Sequence, residues 1–375
     1  GNPVVSGNGL PSGTSTIATV LKQAGYRTGL IGKWHLGYGE KFYPQKFGFD
    51  VAEGFRYIAP DKEIMSVGKI PFLLDGKEVP RFRYDKQHTD ILADRAIKFI
   101  ENRSDQPFFL YLSIYLPHLP WEAIPDEDRK HYEGKNLIVP NLSRHPEAAI
   151  SNDDLHELMR SYYANISCAD RNIGRVLSTL DSLDLTKDTL VFFIGDNGFS
   201  VGQHGLLGKG NAVVLGTKDR KPNMFDDSVL VPFVARWPGV IEAGSISDVM
   251  VSTIDVLPTL IEITETETQL QLDGRSMLPI LKSQRGVKWR DEYCDTYDMT
   301  YLKEDHMRMI RTDEWKLVFH FDAAGKPFPY GRHELFNLSA DPGELRNLYD
   351  NDDFSMVRRS LEARLRKWIA EHDVR

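Results

Sequence analysis

Cys168 and Cys294 are the only two cysteines among 375 residues. They allow at most one bridge, so no disulfide framework holds this chain together, and they say little about redox compartment. Long apolar runs are also lacking. The longest, residues 108–117, is interrupted only by Tyr and Ser, and it has the length of a buried strand rather than of the ~18 to 20 residues of a membrane span. Positive charge is not in excess: 46 Lys and Arg stand against 54 Asp and Glu, a formal net charge of −8. That balance gives no pull toward nucleic-acid phosphate, so no nucleic-acid partner is expected. There is no internal repeat, no low-complexity linker and no Gly-x-x-x-x-Gly-Lys-Ser/Thr phosphate loop. An initiating Met is missing too. The chain opens Gly1-Asn2-Pro3 and reads as a trimmed product, which makes the lack of a signal peptide uninformative.

What is present suffices for a sizeable core: 41% of residues are hydrophobic and 27% charged, a globular balance. The length fits about two domains of ~150 residues each, or one large α/β domain with an appendage. Short apolar, β-branched or aromatic runs at 28–31, 108–115, 189–195 and 231–236 read as strands. Amphipathic stretches at 14–24, 89–102, 152–183 and 253–263 read as helices. Such alternation predicts an α/β fold with a mostly parallel, buried central sheet flanked by helices. After about residue 283 the texture changes to short strands at 307–312, 316–321 and 333–337 and one closing helix at 353–372. The expected organisation is a main domain over 1–285 and a smaller α+β subdomain of antiparallel strands over 286–375.

In this fold class the first place to look for a site is just beyond the carboxyl ends of the strands. Three ends are loaded. "GLIGKWHLG" places Lys33 and His35 two apart after the first strand, on the same side if the strand continues. "YLPHLP" holds His118 between two prolines that restrict the backbone. "VFFIGDNG" delivers Asp196 and Asn197 into a Gly-flanked turn, and "GQHGLLGKG" follows with His204 and Lys209. Each piece alone has an ordinary structural explanation, for Asp-Asn-Gly is a common turn. If the strands share a parallel sheet, however, their ends converge on one crevice. Two lysines, two or three histidines and an Asp-Asn pair there would suit an oxyanion ester. Oxygen donors would hold a hard divalent cation, ammonium groups would meet nonbridging oxygens, and imidazoles would move protons.

The chain resembles the type I sulfatases of the alkaline phosphatase superfamily over essentially its whole length. "AGYRTGLIGKWHLG", from Ala24 to Gly37, is similar to that family's second signature. "FFLYLSIYLPHLPW", "TLVFFIGDNG", "HGLLGKGN", "VPFVARWPG", "DVLPTL", "LDGRSMLPIL" and "ELFNLSADPGELRNL" match further family segments in order. The resemblance implies sulfate-ester hydrolysis with a calcium ion, two of whose ligands would be Asp196 and Asn197. It implies that Lys33 contacts the nucleophile and the sulfate, and that His35 assists breakdown of the sulfated intermediate. His118 would bind sulfate and protonate the leaving oxygen, while Lys209 would contact the sulfate and the ester oxygen. His204, on the loop between these segments, is a further substrate-facing candidate, and Lys221 is an alternative to Lys209.

One departure stands out. The family's nucleophile is a formylglycine made from Cys or Ser in a Cys/Ser-x-Pro/Ala-x-Arg signature, and no such signature occurs here. Cys168 and Cys294 lie in other contexts and read as packing residues. The nucleophile, together with paired acidic calcium ligands on a first strand, is therefore expected upstream of Gly1. Two other functions remain open: a phosphodiester or phosphonate ester hydrolase of the same superfamily, and a truncated, noncatalytic relative that only binds an anion. The expected partner is a small-molecule or carbohydrate sulfate ester, with carbohydrate preferred from family breadth. A periplasmic or secreted location is a family expectation, and the oligomeric state is unknown. Arg56, Arg83 and Trp121 are candidates for a sugar-binding mouth, and the loops near His306 and Arg308 for a substrate rim.

Overall fold

The computed structural model describes residues 9–37, 40–55, 72–74, 77–79, 88–102, 104–119, 121, 124–299, 304–322, 324–328 and 332–372. Arg56 and Arg83 lie outside the described residues. Helix α1, Ile17–Gln23, starts at Thr16, whose hydroxyl accepts from the Thr19 backbone while Thr19 returns the contact; this reciprocal cap satisfies two otherwise orphaned donors. Gly25, at φ +85°, follows and turns the chain out of the helix. Strands β1, Arg27–Gly32, and β2, Val51–Phe55, come next, then the short β3, Phe72–Leu74, and β4, Lys77–Val79. Helix α2, His88–Glu101, leads into β5, Phe108–Ser113. These strands form one sheet in the order β4-β3-β2-β1-β5. It is parallel across β2, β1 and β5, with an antiparallel hairpin of β3 and β4 at one edge.

Helix α3 runs the 31 residues from Asn152 to Ser182, capped by Ser151, whose side chain accepts from the Asp154 N–H. Its apolar face, with Val176 and Leu180, packs with Ala96, Phe99 and Ile100 of α2 above Phe108, Leu110 and Leu112 of β5. Charge supports the same junction. Arg171 of α3 donates to both carboxylate oxygens of Asp128 at 3.1 and 2.8 Å and to Asp90 of α2 at 2.9 Å.

Strand β6, Val191–Ile194, follows α3. Four short strands, β7 (Ser200–Val201), β8 (Leu206–Gly208), β9 (Asn211–Val214) and β10 (Arg220–Pro222), then make an antiparallel sheet of their own. Strand β11, Phe233–Arg236, returns antiparallel along β6. The expected parallel central sheet holds the runs at 28–31 and 108–115 together with β2, whereas those at 189–195 and 231–236 pair with each other outside it. Among the described residues the β6–β11 ladder is not hydrogen-bonded to the five-stranded sheet, and β11 runs the opposite way. An apolar run looks the same in either direction, because direction is set by the connection and not by the strand's own residues. Val191 nevertheless packs in the same cluster as Phe108, Leu110 and Leu112, so β6 lies on the β5 side of the sheet.

After α4, Val256–Thr264, the chain forms an antiparallel sheet of β12 (Glu292–Met299), β13 (Asp305–Thr312), β14 (Trp315–Phe321) and β15 (Glu334–Asn337), in that order. Helix α5, Ser355–Glu371, closes it by placing Leu361 and Leu365 on Ile310, Leu317, Phe319 and Leu335. Lys316 of β14, fully buried, links this sheet to the main body. Its ammonium donates to Glu344 at 2.6 Å and to the Met224 carbonyl at 3.1 Å, and pairs with Asp226 at 2.5 Å. Arg311 grips the same Asp226 through two bonds of 3.1 and 2.9 Å. Among the described residues no helix is long and apolar enough to cross a membrane.

Candidate active site

Lys33 follows directly on β1. Its backbone N–H donates to the Ser113 carbonyl of β5 at 2.9 Å, so the carboxyl ends of the two strands are stitched together. Gly32, at φ +113°, makes this possible. A Cβ there would lie 2.1 Å from the Ser113 oxygen, which only glycine avoids. The Lys33 ammonium stands 3.9 Å from a carboxylate oxygen of Asp196, the second residue beyond β6. The ends of β1, β5 and β6 thus meet without β6 joining the sheet.

His118 reaches the same place from the turn after β5, which contains a cis Leu116–Pro117 bond. The Pro117 carbonyl accepts from the Trp121 indole at 2.7 Å, anchoring the turn. His118 Nδ1 lies 2.6 Å from the Leu119 carbonyl. A carbonyl only accepts, so Nδ1 carries the proton and Nε2 is the atom left for chemistry. Lys209 comes from the β8–β9 turn. The Tyr297 ring of β12 packs so tightly against the next residue, Gly210, that a Cβ there would sit 2.5 Å from it.

Electrostatics show how closely these groups gather. Burial lowers the Lys33 ammonium and the Asp196 charge opposes that shift. Lys209 is lowered by burial, helped by Asp196 in the opposite sense and pushed further by Lys33. His35 falls to about 4, through burial and then the charges of Lys33, Lys209 and His118, against Asp196. His118 is lowered by burial, with Lys33 and Lys209 adding to it and the Leu119 hydrogen bond opposing it. Five side chains from four separate segments therefore feel one another, and cation-forming groups outnumber carboxylates. The arrangement can bind an anion, and its imidazoles are neutral near pH 7 until an anion arrives.

The Asp196 side chain is 69% exposed, and the Asn197 amide donates to the Gly198 carbonyl at 2.8 Å. Both supply hard oxygens of the kind calcium takes. The described residues contain no group of three or more His, Cys, Asp or Glu side chains able to hold a metal. Asp196 and Asn197 thus fit as part of a calcium shell of six to eight oxygens and do not make one alone. The cysteines do not fit a nucleophile. Cys168 is completely buried in α3 and its thiol is pushed up to about 12 by burial first and then by Asp128 and Asp90. Cys294, on β12, is likewise raised by burial to about 12.

Other candidates are placed elsewhere. His204, at φ 54° and only 6% exposed, stacks flat on Phe225 with ring centroids 3.7 Å apart, and it lies 3.8 Å from Asp227. Burial, then Lys221, His145 and Lys316, take it to about 4. None of the Lys33 group is among those neighbours, so its geometry is that of a loop support. Lys221 lies 5.5 Å over the Phe225 ring and belongs to the same cluster, leaving Lys209 as the lysine at the crevice. Trp121 is 7% exposed and packs with Met159 and Val201 in the core, not at a mouth. Arg308 is buried within the C-terminal sheet against Asp298 at 2.6 Å, and His306 contacts the same Asp298 at 2.9 Å. Sequence reasoning missed Tyr111, Ser113 and Tyr115. The Tyr111 phenol is raised by burial and by the Asp196 charge, against a hydrogen bond to Ser113. The Tyr115 ring lies within 5.6 Å of the Lys33 ammonium and 4.9 Å of the His118 ring. Their i, i+2, i+4 spacing in an apolar run was the available signal.

Comparison with known proteins identifies the family. A family model described as Sulfatase matches residues 1–266, and one described as N-sulphoglucosamine sulphohydrolase, C-terminal, matches residues 217–371. The chain is 24% identical to N-acetylglucosamine-6-O-sulfatase of Bacteroides thetaiotaomicron, over 92% of this chain and 70% of that protein. It is 26% identical to human N-sulphoglucosamine sulphohydrolase, over 96% and 74%. The solved structure of BT4656 with its substrate D-glucosamine-2-N,6-O-disulfate superposes with a TM-score of 0.79 at 21% identity, covering 98% of this chain and 84% of the other. Phosphonate monoester hydrolase of Agrobacterium radiobacter superposes with a TM-score of 0.74 at 21% identity, covering 98% and 82%. With a family model spanning well over half its residues and the alkaline phosphatase-like fold beneath it, the chain belongs to the sulfatase family.

Proposed function

We propose that this sulfatase hydrolyses the sulfate ester of an amino sugar, and that Lys33, His35, His118 and Lys209 do the work at sulfur. The observation that carries the reading is the meeting of these four with Asp196 in one crevice. The sugar class is suggested by the printed substrates of its relatives, glucosamine derivatives sulfated at oxygen or nitrogen.

Lys33 and Lys209 hold the nonbridging oxygens and stabilise the charge that shifts among them as the ester bond breaks, the largest contribution expected from a preorganised site. Burial keeps His118 low before substrate arrives, and their own charges add to it. An anionic ester offsets them, raises His118 and makes its Nε2 a proton donor to the leaving oxygen. His35, neutral at pH 7 with its value near 4, serves as proton acceptor. A formylglycine hydrate would supply the attacking oxygen and a calcium ion would draw charge from the sulfate. Asp196 and Asn197 would hold the ion, and neither Cys168 nor Cys294 fits the nucleophile.

The test uses the protein expressed from its complete reading frame. Hydrolysis of N-acetylglucosamine 6-sulfate and 4-nitrophenyl sulfate, with much slower turnover of aryl phosphonate monoesters, supports the reading. The phosphonate hydrolase among its structural neighbours motivates the reverse preference, and that outcome would replace it.

A further inference from the structure

We infer that Tyr115 is a positioning residue, an aromatic support that borders both Lys33 and His118 and sets where the Lys33 ammonium and the Nε2 of His118 stand relative to the leaving oxygen. The inference rests on the sulfate-ester reading above. The Lys33 ammonium lies 5.6 Å from the centroid of the Tyr115 ring, inside the ~6 Å over which an aromatic face attracts a cation. The His118 ring lies 4.9 Å from the same ring at an angle of 42°. One aromatic side chain therefore borders both groups.

The backbone and hydroxyl fix the pair further. The Tyr115 carbonyl accepts from the His118 backbone N–H at 3.0 Å. Its phenol donates to the Leu119 carbonyl at 3.4 Å, the oxygen that also takes the His118 Nδ1 proton at 2.6 Å. Tyr115 also packs against the buried cluster of Ile31, Ile91 and Leu92, which anchors it. The choice of residue has a physical reason. Lys33 and His118 repel once both are protonated. A carboxylate beside both would compete with the substrate anion. An aliphatic chain would fill the space without supporting either. An aromatic ring favours both cations electrostatically and carries no charge to compete.

Proton delivery by His118 matters most when the departing oxygen is a strong base, because a weakly basic oxygen leaves without help. Loss of the ring should therefore be felt unequally across substrates, whereas loosening of the fold would slow all of them alike. The experiment compares Tyr115→Phe, Tyr115→Leu and Tyr115→Met with the parent, in the protein expressed from its complete reading frame. Substrates are 4-nitrophenyl sulfate and N-acetylglucosamine 6-sulfate. Tyr115→Phe keeps the ring and should stay within about threefold of the parent on both. Tyr115→Leu should lose kcat by about 30-fold or more on the sugar ester and by less than about fivefold on the nitrophenyl ester. Should the leucine protein fail to fold by circular dichroism, Tyr115→Met, whose flexible chain fills the same space, carries the comparison. Equal losses on both substrates, or no loss in either aliphatic variant, would overturn the inference and leave the sulfatase reading intact. A parent protein inactive on both sulfate esters would instead overturn the reading itself.

Discussion

Lys33 and Asp196 face each other across 3.9 Å although the strands that carry them, β1 and β6, belong to separate ladders. The contact is made at strand ends, where side chains leave the sheet and reach across. A hydrogen-bonded neighbour is not required for that. Two partly buried lysines share this one carboxylate, and the excess of positive charge suits the crevice to an anion.

His118→Ala and Lys209→Ala should each lower kcat on N-acetylglucosamine 6-sulfate by ~10²- to 10⁴-fold, the range for loss of a proton donor or of an oxyanion contact. His204→Gln should stay within about tenfold of the parent, because His204 rests on Phe225 away from the crevice. Steady-state kinetics check all three. Parental rates in the first two, or a His204→Gln loss as large as theirs, would move the site.

The proposed calcium ion is tested at the oxygen donors at the end of β6. Asp196→Ala should weaken calcium binding by about tenfold or more, since a carboxylate is the strongest single donor such an ion takes from a side chain. Isothermal titration with calcium reads this directly, and an unchanged affinity counts against Asp196 as a ligand.

His320 offers a pH test of the C-terminal sheet. It is buried, with Nδ1 3.1 Å from Asp305 and Nε2 3.6 Å from Glu334. Burial disfavours its charge, but these two carboxylates outweigh burial and raise the imidazole to about 9. The folded value lies above the unfolded ~6.5, so the stability it brings is complete below about pH 6.5 and is lost as pH rises through about 9. The loss should be on the order of 3 kcal/mol. Urea midpoints at pH 6 and pH 10 should differ accordingly in the parent, and by much less in His320→Asn. An identical difference in both would assign the pH dependence elsewhere.

Lys316→Ala should cost about 3 kcal/mol of unfolding free energy. It would leave Glu344 without its cation and Asp226 with Arg311 alone. Burial already holds the Glu344 carboxyl up to about 7, against the Lys316 charge. Chemical denaturation measures the change, and a loss under about 1 kcal/mol would show that Arg311 suffices.

The elements legible in advance were those with an unambiguous period. Helix α3 was expected over 152–183 and ends at Ser182, because 31 residues of regularly spaced Leu, Ile and Val admit no other arrangement. Strands β7 to β10 were not anticipated, since strands of two to four residues leave no countable alternation. Strand β12 was missed because its glutamate and aspartates break up an otherwise alternating segment.

By itself the sequence determined the residue types of the site and their position just after apolar runs. Those depend on local chain geometry: a strand, a proline or a Gly-flanked turn forces a polar side chain out at its end. Only the tertiary structure decided which of them meet. It brought Lys209 to Asp196 and turned His204 and Lys221 onto Phe225, although all of these lie within one short stretch of chain. It also ran β11 antiparallel to β6. The physical reason is that direction, ladder partner and burial arise from packing between distant segments, and hydrophobic pattern, which records only that a residue is to be covered, does not say by what.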